Sequence, residues 1–276
     1  VVRTTDVADV AETAAAIAFN PGRGSPMQGS VGFRAPFAKT KIASLGDASL
    51  RTECPPLTSG LVLVSGPQVF PGYLDPQHNK GVLTDDHWIV TGDVGYLTAD
   101  QRLVLTGREK DLIVRSGHNI DPAAIEDVAN AFPGVQMSSA VGMPDAYAGE
   151  VPILFVVQSP GQTIDMARLR DHLESNVNEP PAKPKRVVLL VALPVTAVGK
   201  IFKPKLREIA ARAAARELLK AEGLLEDVSI EAVTDPARGL FLQVEAPADK
   251  AAEVKRLLQQ FPVKIELADC RRDEIG

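Results

Sequence analysis

Four short stretches hold the residues that could do chemistry. Thr91-Gly92-Asp93 follows the apolar run Trp88-Ile89-Val90 and sets a carboxylate at a strand-end turn. Such a carboxylate can accept hydrogen bonds from two neighbouring hydroxyls, as on a ribose, or it can cap its own turn. Gly107-Arg108-Glu109-Lys110-Asp111 sets four charged side chains in a row. Arg108 offers a planar fork of donors suited to ribose or phosphate and Lys110 a flexible point charge; the same run could be a solvated link between elements. Ser116-Gly117-His118-Asn119 reads as a small-residue loop before a helix. Gly117 would let a ligand approach the backbone, and His118 could serve as acid or base, although no carboxylate stands placed to orient it. Pro194 to Lys203 contains the pair Gly199-Lys200. A lysine on a flexible loop can bring an ammonium to developing negative charge, or it can be an exposed cation beside a turn. It is not a Walker loop, because the upstream glycine and the following Ser/Thr are absent.

The elements that must position these residues fall into unlike halves. From Ser30 to Leu63 short apolar runs alternate with turn residues, as in antiparallel β-structure. Leu61–Ser65 is a strand candidate, and Val94–Leu97 with Arg102–Thr106 predicts a hairpin across Thr98–Gln101. Beyond the charged joint, Asp121-Pro122 is a helix start, with Asp as N-cap and Pro at the first helical position. Val135–Val141 and Val151–Gln158 read as strands, Asp165 to about Asn178 as a helix, Arg186–Val191 as a buried strand, and Pro204 opens an Ala-rich helix to about Lys220. The last stretch repeats the alternation on a smaller scale, as a ββαβ unit of its own. The fold class expected is therefore mixed α and β: a β-rich barrel-like subdomain, a small α/β domain and a ββαβ tail.

Composition narrows the classes. Hydrophobic residues at 45% and charged residues at 24% are those of a globular chain able to bury a core. The net charge of −5 disfavours a nucleic-acid partner. Cys54 and Cys270 lie far apart and outside any ligand spacing, which suits a reducing, cytoplasmic compartment without disulfides or structural zinc. No apolar run reaches membrane-spanning length. The first residue is Val1 and no signal-peptide pattern follows, so the chain reads as a fragment or processed product. His78, His87 and His172 are scattered without metal spacing; Met27, Met137, Met143 and Met166 read as gap fillers, and Tyr73, Trp88 and Tyr96 as packing aromatics.

Each stretch is weak alone, but their order is not. Gly66-Pro-Gln-Val-Phe-Pro-Gly-Tyr73, Trp88-Ile-Val-Thr-Gly-Asp93, Gly107 to Asp111, Gly117 to Glu126, Val141 to Pro152 and Pro194 to Lys200 together resemble the adenylate-forming enzyme superfamily, and within it acyl-CoA synthetases. The resemblance covers about residues 10–210. It implies an ATP-dependent activation of a small-molecule carboxylate to an acyl-adenylate, followed by transfer to a thiol, usually that of coenzyme A, with Mg2+ in the full-length enzyme. Residue by residue, it implies that Asp93 grips the ribose diol, Arg108 makes the second ribose contact and Lys110 is the hinge. Lys200 would be the catalytic lysine bridging phosphate and carboxylate. Ser116, Gly117, His118 and Asn119 would be presented to the thiol path.

The implied domains are 1–107 as the last β-rich subdomain of the large domain, 108–111 as hinge, 112–220 as the small C-terminal domain and 221–276 as a tail extension. The sequence also departs from the family. The upstream phosphate loop and the acyl-binding region are not in it, so the chain alone is expected to be inactive. The family's Tyr-Gly-x-Thr-Glu block falls at Ala8 to Glu12, where only Glu12, the magnesium position, survives. Two other readings remain: an adenylation domain fragment serving a carrier protein, and a non-catalytic binding or regulatory module acting through the tail.

Overall fold

The computed structural model describes residues 7–9, 11–13, 16–20, 27, 29–197, 199–235 and 237–269. Cys270 and the stretch Pro21–Pro26 lie outside them. The chain divides into two compact units, Val1–Lys110 and Asp111–Gly276.

The first unit is a curled antiparallel sheet. In chain order its strands are β1 (Val7–Asp9), β2 (Ala16–Phe19), β3 (Gly32–Arg34), β4 (Lys39–Ala43), β5 (Gly60–Ser65), β6 (Ile89–Leu97) and β7 (Arg102–Arg108). Their spatial order is β1-β2-β3-β7-β6-β5-β4. The continuous apolar run of β5 is explained by burial on both sides. Val62 and Val64 join Ile17, Ile42 and Leu103 on one face, while Leu61 and Leu63 join Ala43, Trp88 and Val90 on the other. The hairpin of β6 and β7 forms as expected, with Gln101 at φ 67° closing its loop.

The second unit contains β8 (Ile113–Arg115), β9 (His118–Ile120), α1 (Pro122–Asn130), β10 (Val135–Asp145), β11 (Gly149–Gln158), α2 (Met166–Asn176), β12 (Arg186–Leu190), α3 (Lys203–Ala221), β13 (Ser229–Asp235), β14 (Gly239–Ala246), α4 (Ala248–Leu258) and β15 (Lys264–Asp269). One sheet runs β10-β11-β8-β9, with β12 parallel to β11; a smaller sheet runs β13-β14-β15. On one face of the larger sheet Ile125, Leu169 and Leu173 of α1 and α2 cover Ala140, Leu154 and Val156. On the other face Val141, Ile153 and Phe155 meet α3. Helix α3 lies between the two sheets, which is why its buried positions are Ala210, Ala211, Ala214 and Ala215: small side chains let both sheets approach it.

Three expectations change here. The ββαβ tail forms, yet it is not packed as a unit of its own. Ile230, Leu242, Val244, Val254 and Leu258 share one core with Leu206 and Phe155. Strand β12 is an edge strand rather than a buried one: among the described residues it pairs with β11 alone, Leu189 is exposed, and so is Val191 just past its end. Met27 and Met137 are also exposed rather than filling core gaps.

Candidate functional site

Thr91-Gly92-Asp93 is not a strand-end turn but an irregularity inside β6. Against β5 the register jumps from Leu61↔Val94 to Leu63↔Val90, so three residues face Val62 alone. Thr91 Oγ1 donates to Val62 O at 2.9 Å and accepts from Asp93 N at 3.0 Å. Gly92 takes φ +71°, which glycine adopts without strain. The bulge sets Asp93 directly across from Arg108 on β7, where Arg108 Nε meets Asp93 Oδ1 at 2.7 Å. The pair is asymmetric, with the Asp93 side chain 16% exposed and that of Arg108 55%. Burial pushes the Asp93 carboxyl above its usual value, and the Arg108 guanidinium offsets part of that rise. Asp93 Oδ2 has no protein partner among the described residues. The two residues expected to grip a ribose are thus brought side by side by strand register alone.

Lys110 lies in a short 3-10 turn, Glu109–Asp111, between the units. Asp111 is held to α3 by Arg207, at 2.9 Å. The stretch Ser116–Asn119 is a hairpin tip rather than a loop leading to a helix. Ser116 at φ 50° and Gly117 at φ 84° form the tight turn, and His118 and Asn119 begin β9. Ser116 N donates to Ala148 O at 2.8 Å and Arg115 Nη1 donates to Pro181 O at 2.8 Å, tying the hairpin to its neighbours. His118 and Asn119 are exposed.

Lys200 ends a closed turn. Val195 bridges Ile201, Thr196 N donates to Lys200 O at 2.7 Å, and Lys200 N donates to Thr196 Oγ1 at 3.2 Å. The Lys200 side chain is exposed and meets no carboxylate among the described residues. The next three cations are paired: Lys203 with Glu126 at 2.9 Å, Lys205 with Glu208 at 2.8 Å, and Arg207 with Asp111.

Glu12 accepts from the Tyr73 hydroxyl at 2.5 Å, and its carbonyl accepts from Phe70 N at 2.9 Å. Tyr73 therefore anchors Glu12 rather than serving only as a packing aromatic. No group of three or more His, Cys, Asp or Glu side chains suited to a metal occurs among the described residues. Glu12 by itself does not make a metal site, and no chemical step is derived through one. A cavity of about 670 Å3 in the first unit is lined by Arg34, Phe37, Lys39, Thr40 and Gln101, none of them a residue singled out in the sequence.

Sequence reasoning missed the Glu126–Lys203 and Asp111–Arg207 pairs. A signal for them existed: Lys203, Lys205 and Arg207 crowd the first turns of α3, the positive end of the helix dipole, so carboxylates from elsewhere were required.

Residues 124–200 match the model of the AMP-binding enzyme C-terminal domain. The chain is 36% identical over 252 residues to marinolic acid–CoA ligase of Pseudoalteromonas sp. (strain SANK 73390), covering 90% of this chain and 38% of that protein. It is 38% identical over 174 residues to 2-succinylbenzoate–CoA ligase of Listeria monocytogenes, covering 62% and 36%. Among solved structures, ATP-bound MatB from Rhodopseudomonas palustris superposes with a TM-score of 0.65 at 32% identity, over 71% of this chain and 38% of that one. The chain thus spans little more than a third of the length of these relatives. The first match must include part of the tail, because residues 1–221 are 221 of 276, less than the share matched. In both sequence and fold, the chain belongs to the adenylate-forming enzymes and corresponds to their C-terminal part.

Proposed function

We propose that this chain supplies the C-terminal part of an ATP-dependent acid–thiol ligase that makes acyl-CoA. The observation that carries the reading is the Asp93–Arg108 pair, a half-buried carboxylate with one free oxygen beside an accessible guanidinium. In the first half-reaction a substrate carboxylate oxygen attacks the α-phosphorus of ATP and pyrophosphate leaves. In the second, the thiol of CoA attacks the acyl carbonyl and AMP leaves. Asp93 and Arg108 hold the ribose through both steps. Lys200 serves the first: its unpaired ammonium screens the repulsion between the attacking carboxylate and the phosphates.

Thioester formation needs an open thiol path, offered by the hairpin at Ser116–Asn119. Lys110 is the hinge between the two arrangements. On this reading residues 1–107 complete the large domain, 112–220 are the small domain and 221–276 extend it. Mg2+ accompanies the nucleotide in the full-length enzyme. The enzyme is cytoplasmic, consistent with the free thiol of Cys54. The acyl group is set outside this region. Relatives matched here act on acids as unlike as 2-succinylbenzoate, indoleacetate and long-chain fatty acids, so fatty acid metabolism is one setting among several. The chain alone does not form acyl-adenylate. The carrier-protein and tail-module alternatives draw less support: the curated relatives named above are CoA ligases, and the tail shares the small domain's core.

The test is a split of half-reactions in the full-length ligase. Lys200→Ala should cut pyrophosphate release by about 10²–10³-fold, the scale of losing one preorganised electrostatic group. Thioester formation from supplied acyl-adenylate should persist; equal loss of both steps would refute the assignment.

A further inference from the structure

We propose that Glu126 and Lys203 form a positioning pair that fixes the base of the Lys200 turn and thereby the reach of the Lys200 ammonium. What Lys200 does chemically rests on the reading above; the mechanical link rests on geometry alone.

Helix α3 begins at Lys203 with no side chain capping its N-terminus and no acidic residue in its first turn. A cation there opposes the helix dipole, so it must be held by something else. Lys205 is paired within its own helix, and its side chain is 58% exposed, which makes that contact weak. Lys203 differs. Its side chain and that of Glu126 are 18% and 19% exposed, and they come from elements 77 residues apart. Glu126 Oε1 also accepts from Ala140 N at 2.8 Å and from Ser139 Oγ at 3.2 Å. The carboxylate is therefore fixed by β10 whether or not Lys203 is present. It is a post, and Lys203 is tied to it. Removing one partner of so sheltered a pair leaves the other charge uncompensated.

The Lys200 turn hangs from that tie. Phe202 N donates to Pro194 O at 2.8 Å and closes the base. Leu193, at the entry, is buried in the core, and Lys203 is the first residue of the exit. Among the described residues, the remaining hydrogen bonds of the turn run within it, from Thr196 to Lys200. Its tip therefore takes its direction from Leu193 on one side and Lys203 on the other.

The experiment uses Lys203→Met, which keeps the side chain's length but not its charge, with Lys203→Arg as the conservative control. In the 276-residue chain, hydrogen exchange of residues 194–202 should rise about fivefold in Lys203→Met while β10 and β11 amides stay unchanged. In the full-length ligase the same variant should lower kcat for pyrophosphate release about tenfold, with KM for ATP and the thioester step within about twofold. Lys203→Arg should restore most of the rate. Glu126→Gln, which keeps an acceptor for Ala140, should repeat the pattern and guards against a variant that does not fold. Unchanged exchange together with unchanged kcat overturns the proposal and leaves the role of Lys200 standing. Equal loss of both half-reactions also overturns it, because that is the mark of a merely structural residue. If Lys200→Ala itself spares adenylation, the functional reading falls, and with it the catalytic half of this one.

Discussion

Asp93 and Lys200 carry their charges in opposite settings. Asp93 is built into a sheet: a bulge in β6, a register partner on β7 and a threonine hydroxyl leave it little freedom. Lys200 sits at the end of an exposed turn whose bonds are mostly its own. A group that must hold one ligand through two reactions gains from a rigid mount. A group needed in only one of them gains from a mount that can be withdrawn without disturbing a core.

The contrast can be broken at several points. Asp93→Ala removes a charged acceptor and should weaken nucleotide binding by the full-length ligase by about 30-fold, roughly 2 kcal/mol. Titration calorimetry with ATP would read it, and an unchanged affinity would remove Asp93 from the site. Gly199→Ala should lower adenylation about tenfold while leaving the melting temperature of the chain unchanged, because an exposed turn can relax away from its φ of +79°. A large melting shift would mean that the turn is as rigid as the sheet. Gly92→Ala poses the same demand, φ +71° with open space around it, but inside a sheet. It should cost about 1 kcal/mol of unfolding free energy in denaturant titration. A cost below that of Gly199→Ala would erase the distinction.

The smallest effect concerns charge. Burial holds the folded-state pKa of Asp93 above its unfolded value, so its stabilising contribution is present below pH 3.8 and is lost as pH rises through the raised value. Asp93→Asn should therefore melt slightly higher than the parent chain at pH 7, by about 1 °C, and the difference should vanish in acid. A lower melting point at pH 7 would show that Arg108 outweighs the burial.

What could be read from the sequence was what depends on neighbours in the chain. Asp121 caps α1 through Ala123 N at 2.9 Å, as Asp-Pro at that place suggested, and Asp165, where the second helix was expected to start, caps α2 through Ala167 N and Arg168 N. What escaped depends on partners far along the chain. The bulge at Asp93 exists only against Val62, so in the sequence alone Thr91-Gly92-Asp93 reads as the end of the Trp88-Ile89-Val90 strand. Val187–Val191 is apolar enough for a central strand, but its place at an edge is decided by where β11 lies. The Ser116-Gly117 turn joins strands of three residues, too short to show alternation. The tail's pattern was legible, but its core was not, because alanines on α3 carry no sign of how many sheets they face.

The joint between the units is bolted on both sides. Arg108 is held by Asp93 across the sheet, and Asp111 is held by Arg207 on α3. Only Glu109 and Lys110 lie between those bolts, and each residue has two soft backbone torsions. On the hinge reading proposed above, the rotation would be taken up by the backbone torsions of Glu109 and Lys110, about four bonds.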